Sequence, residues 1–109
     1  MILDFQDIPL RTLERFKGGE KQLFARMWDD EGGKILLGTL VPGASIGLHT
    51  HDDSSETMYF LKGEGKFLYD GKVEYVHAGH VHHCPKGHAH CLVNEGEEDL
   101  VFLGVVPKQ

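Results

Sequence analysis

His49 and His51 stand two residues apart, so on an extended backbone both imidazoles point to one face. Glu56 follows five residues after His51, and a tight turn through Asp52-Asp53-Ser54-Ser55 would bring its carboxylate to the same side. Downstream, the segment Cys84-Pro85-Lys86-Gly87-His88-Ala89-His90 offers a third imidazole, at His90. Three imidazole nitrogens and one carboxylate oxygen suit a single divalent transition metal: Fe, Mn, Ni, Co, Cu or Zn. They do not favour Ca or Mg, which take oxygen ligands. On an octahedral metal this set leaves one or two positions open for water, dioxygen or a small-molecule ligand.

Short elements must hold these residues. Runs rich in Val, Leu, Phe and Tyr are broken at regular intervals by Gly, Pro and Asp, which predicts an all-β barrel or sandwich. The strands expected are 23–28, 34–40, 45–50, 56–62, 65–69, 72–77, 81–84, 89–94 and 100–106. Asp70-Gly71 predicts a two-residue hairpin of type I′, which needs positive φ at both central residues. Residues 10–16 are read as one or two helical turns, with almost no helix elsewhere. No linker or internal repeat divides the 109 residues, so one domain is expected, with an N-terminal arm over about residues 1–22.

At the two motifs the chain resembles the cupins. The first cupin pattern, Gly-x5-His-x-His-x4-Glu-x6-Gly, is met by Gly43, His49, His51, Glu56 and Gly63. The second, Gly-x5-Pro-x-Gly-x2-His-x3-Asn, is met by Gly79, Pro85, Gly87, His90 and Asn94. Only fifteen residues separate the motifs, as in small single-domain cupins. The resemblance implies a cupin-type jelly-roll β-barrel with His49, His51, Glu56 and His90 as metal ligands. It says little about the reaction, because one fold hosts many chemistries.

Six of the eight histidines, at 77, 80, 82, 83, 88 and 90, fall within residues 76–90. Cupins usually carry apolar residues where His82, His83 and Cys84 stand. Alternation along 81–84 turns one of His82 and His83 inward, where it could support a ligand, move a proton or ligate metal itself. His88, two residues before His90, is the candidate proton-transfer residue. Met58 and Phe60 should face inward with Glu56, and with Tyr69, His82 and His83 they form the expected substrate pocket. Cupins that decarboxylate oxalate usually place an arginine three residues before the first motif histidine; here that residue is Ile46. A bidentate anion clamp is thus missing from this strand.

A net charge of −6 argues against a nucleic-acid partner. The N-terminus shows no signal-peptide pattern and no run is long enough to span a bilayer, so no membrane partner and a cytoplasmic location are expected. Cys84 and Cys91 are expected to be free thiols. Thr57, Tyr59 and Leu61 alternate with the inward set, and the apolar surface they expose suggests a homodimer, as is common among cupins. The function expected is that of a metal-dependent enzyme acting on a small polar organic molecule, dioxygenase-like or sugar-acid isomerase-like. The alternative is a non-catalytic cupin that binds or senses a small molecule.

Overall fold

Ten strands run through the chain, as seen in a computed structural model that describes residues 1–109. They are β1 (Arg11–Glu14), β2 (Gln22–Asp30), β3 (Gly33–Leu40), β4 (Ser45–Thr50), β5 (Glu56–Lys62), β6 (Glu64–Tyr69), β7 (Lys72–His77), β8 (Val81–Cys84), β9 (Ala89–Val93) and β10 (Leu100–Pro107). Every named pairing is antiparallel. One sheet has the order β1-β2-β3-β10-β5-β8 and the other β4-β9-β6-β7. This is the expected jelly roll, with neighbours in the sheets drawn from distant parts of the chain.

Alternation decides what lies between the sheets. The larger sheet turns Leu23, Ala25, Leu36, Leu40, Met58, Phe60, Phe102 and Val106 inward, all buried. Ile46, Phe67, Val76 and Leu92 answer from the smaller sheet and complete one core. Phe60 packs edge-on against Phe67 at 5.8 Å between centroids, and tilted against Phe102 at 5.9 Å. Burying one such ring stabilises the fold by about 1.5–3 kcal/mol. Buried Asn94 closes a turn: its Nδ2 donates to the Leu40 and Glu98 carbonyls at 2.8 Å each, and its Oδ1 accepts from Gly96 N at 2.9 Å. Asp70 and Gly71 have φ of 47° and 80°, as the hairpin between β6 and β7 requires.

The N-terminal region differs from the helical turns expected over residues 10–16. Arg11–Glu14 is instead a strand paired with β2, and Phe16–Gly18 is a short 3₁₀ turn. Otherwise β2 would be a sheet edge with unpaired backbone groups, a demand that outweighs weak local helical preference. The turn then straps across β4. Ser45 N donates to Glu20 O at 3.0 Å, while Ser45 Oγ accepts from Glu20 N at 2.7 Å.

Beneath the strap, β4 is irregular. Ile46 pairs with Leu92 and His49 with His90, so three steps along β4 match two along β9. This bulge at Gly47-Leu48 shifts the alternation, letting both Ile46 and His49 face inward while Leu48 is exposed. Gly47 also lacks room for a side chain: a Cβ there would lie 2.0 Å from the Lys17 carbonyl oxygen. Gly47→Ala is therefore expected to push the strap off β4 and cost about 1–3 kcal/mol, measured as a lower denaturant midpoint with an unchanged fold by circular dichroism.

Candidate metal centre

His49 and His51 come from the end of β4 and the residue after it, Glu56 opens β5, and His90 lies on β9 opposite His49. One donor atom from each lies within 4.8 Å of all the others. His51 Nε2 is 3.0 Å from His90 Nε2 and 3.2 Å from Glu56 Oε1, and His90 Nε2 is 3.1 Å from the same oxygen. His51 and His90 are buried and His49 is partly exposed, so the cluster sits inside the sandwich with one open side.

Each ring is held at its far nitrogen. His49 Nδ1 donates to the Gly47 carbonyl at 2.8 Å, which leaves the lone pair on Nε2. His51 Nδ1 bonds Ser54 Oγ at 3.0 Å, and His90 Nδ1 bonds His82 Nε2 at 3.1 Å. With the proton of each ring on Nδ1, three bare nitrogens would face a carboxylate, an arrangement that needs a cation between them; without one, His51 can carry its proton on Nε2 and donate to Glu56. The residues fit a divalent metal ion.

Burial pushes the Glu56 carboxyl up, but His51, donating from Nε2, and the neighbouring His90 outweigh it and hold the group at about 2. Burial lowers His49, against the Gly47 carbonyl and with help from His90 and His51. Burial also lowers His82, to about 4, with help from His90. The free Cys84 thiol is pushed up to about 11 by burial and by Glu56 and Asp70, and it is not among the clustered donors.

Open to this cluster is a cavity of about 340 Å³. Its walls are not the expected ones. Met58 and Phe60 are packed in the core, Met58 bordering only a void of about 10 Å³. His83 points outward, bonding Thr57 Oγ1 at 2.9 Å, because alternation on β8 turns His82 inward in its place. Tyr69 and His88 do not line the cavity either. The His88 ring is bonded to Asp70, with the Tyr69 hydroxyl 3.4 Å away. Ile46, Leu36, Phe102 and Val106 wall the cavity, with Phe16 and Lys17 of the strap, Lys34 and Lys108 around it. The lysines carry no motif, and only the docking of the strap brings Lys17 here. Inward alternation of 23 and 36 was the available signal for the apolar wall, whereas Ile46 joins it only through the bulge in β4.

Residues 36–106 match the family model for the cupin domain. An oxalate-binding protein from Thermotoga maritima is 40% identical over 85 residues, a match covering 78% of this chain and 61% of that relative's length. A solved structure from the same organism, described as a predicted oxalate decarboxylase, superposes with a TM-score of 0.93 over all of both chains at 29% identity. KdgF from Halomonas sp. superposes with a TM-score of 0.83 over 100% of this chain and 94% of its own, at 13% identity, which speaks for the fold alone.

The pH behaviour follows from these groups. Because the folded-state value of Glu56 lies below its ordinary 4.5, its contribution to stability without metal is complete above that pH and is lost as pH falls towards about 2. Near neutrality the protons that displace a metal must go to imidazoles. Metal affinity is expected to fall between pH 7 and 5 with more than one proton taken up per ion released. Glu56→Gln should lower affinity by a constant factor across that range and leave the slope unchanged, as read by competition titration against a chelator.

Proposed function

The chain belongs to the cupin family, and from that premise we propose that it binds one divalent transition metal through His49, His51, Glu56 and His90 and acts with it on a small polar organic molecule. The observation that carries this reading is the convergence of three oriented imidazoles and an ionised carboxylate at the edge of a cavity of about 340 Å³. The bound metal would supply Lewis acidity to an oxygen-bearing substrate, Fe, Mn, Ni, Co, Cu and Zn all being compatible with the donors. The reactions proposed are oxygenation of an enediol-like or diketone-like molecule, or isomerisation of a sugar acid. Leu36, Phe102 and Val106 give the cavity a wall that holds little water, while its lining mixes Lys17, Lys34 and Lys108 with Asp29, Asp30, Asp52 and Asp53, so charge by itself does not select the substrate.

A second reading, a cupin that binds a small carboxylate without turning it over, is favoured by the name of the 40% identical relative, an oxalate-binding protein. It is also favoured by the absence of arginine from the cavity, where lysines offer point charges and no bidentate fork. Protein purified without a histidine tag, analysed for metals and then supplied with oxalate and larger hydroxy and keto acids, separates the readings. Product formation supports the enzyme, and a ligand-dependent thermal shift without product supports the binder.

His51→Ala and His90→Ala are expected to lose most bound metal. In the unsubstituted protein, metal at about a hundred times its Kd adds about 2.7 kcal/mol, a rise in Tm of about 10 °C or more; the variants should lack this rise. Full occupancy in a His49→Ala, His51→Ala double variant would overturn the site.

We further propose that two copies associate through the outer face of the larger sheet. Leu37, Leu103, Tyr59 and Val81 are successive cross-strand partners there, on β3, β10, β5 and β8. Tyr59, Leu61, Val81 and Val105 are all exposed. An apolar row this wide calls for cover. Light scattering at micromolar concentration should give about twice the 12.2 kDa chain mass, and Tyr59→Lys should return it to the monomer.

A further inference from the structure

We propose that His82 is a positioning residue of the metal centre, which accepts a hydrogen bond from His90 Nδ1, with Glu74 on its far side setting the direction of that bond. The inference rests on the reading of His90 as a ligand. His82 is buried, yet it stands at an unspecified position of the second family motif and is not one of the four clustered donors. Its Nε2 is 3.1 Å from His90 Nδ1, and Glu74 Oε1 lies 3.3 Å from its Nδ1.

The direction of the bond matters because an imidazole pair is ambiguous: either ring could donate. A carboxylate only accepts, so Glu74 favours the His82 tautomer with its proton on Nδ1 and a bare Nε2. That bare nitrogen can only accept, so His90 must donate from Nδ1, leaving its own Nε2 free for a metal. If His82 were absent, His90 Nδ1 would have no acceptor. Its proton would move to Nε2, where Glu56 Oε1 waits at 3.1 Å, and the ligating lone pair would be lost. Glu74, His82 and His90 therefore form a line from the half-exposed surface of β7 to the buried cluster.

Packing keeps the line in register. The His82 ring stacks on Phe67 at 3.7 Å between centroids with 14° between planes, and it meets Tyr69 edge-on at 5.4 Å. His90 lies nearly parallel to it, 20° off. A partner fixed in this way restricts rotation of His90 about its side-chain bonds, so less ordering remains to be done when metal binds.

The test needs no turnover. Long-range ¹H–¹⁵N spectra of labelled metal-free protein report the tautomer of each ring, and chelator-competition titration with Zn or Co reports affinity. In the unsubstituted protein, with the Glu74 charge beside His82 Nδ1, His90 should carry its proton on Nδ1. In His82→Phe, which keeps the stack on Phe67, the proton should appear on Nε2 and metal affinity should fall by about 10- to 100-fold. If His82→Phe does not fold, Glu74→Ala at its half-exposed position carries the test: a mixture of His90 tautomers and an intermediate loss of affinity are expected. An Nδ1–H tautomer and an unchanged affinity in each folded variant that removes His82 or the Glu74 acceptor would overturn the role of His82 while leaving the metal site standing. Failure of the unsubstituted protein to bind either metal would overturn the site and this inference together.

Discussion

Three neutral imidazoles and a carboxylate, brought together inside a β-sandwich, do not attract one another enough to stay there unaided. Their lone pairs face a common point, and His51 Nε2 and His90 Nε2 are only 3.0 Å apart. What holds them is a set of bonds on the opposite side of each ring, from Gly47, Ser54 and His82. Burial alone would neutralise Glu56, yet a hydrogen bond from His51, with His90 beside it, keeps it ionised. The surrounding fold supplies this arrangement at a cost in desolvation and repulsion, which a bound cation would relieve.

Much of the local architecture follows from that demand. The bulge in β4 gives Gly47 a carbonyl that can reach His49 and lets Ile46 wall the cavity on the same side. The lack of a side chain at Gly47 admits the strap, and the strap carries Phe16 and Lys17 to the cavity. Gly87 N and His88 O both bond the backbone of His51, so the second motif grips the first. One irregular strand thus joins ligand orientation, cavity shape and the docking of the N-terminal arm. A change at Gly47 would be felt at all three.

The four donors and the strands that carry them were legible in the residues. Period-two alternation put His49 beside His51 and Glu56 beside Met58 without any tertiary information, because a strand's side chains take sides by geometry alone. The same rule reduced His82 and His83 to one inward ring. Alternation could not choose between them, since both are imidazoles and β8 is only four residues long. The pocket was less legible, because facing inward and lining a cavity are different properties: Phe60 faces inward into solid core, and Tyr69 turns its hydroxyl towards His88.

Residue types and spacing by themselves determined an all-β barrel or sandwich, a set of three imidazoles and one carboxylate, and a tight hairpin at Asp70-Gly71, while the jelly roll came from the resemblance of the two motifs to the cupins. These depend on local backbone geometry and on motifs whose spacing is fixed along the chain. Only the tertiary structure decided that Arg11–Glu14 is a strand, since the reason is an edge of β2 that needs a partner. It alone decided where the space lies between the sheets and which lysines reach it. It also decided that His82 meets His90 on one side and Glu74 on the other, because those three residues lie on three different strands in two sheets. Contacts of that kind depend on how the sheets fold over each other, and no period within one strand records it.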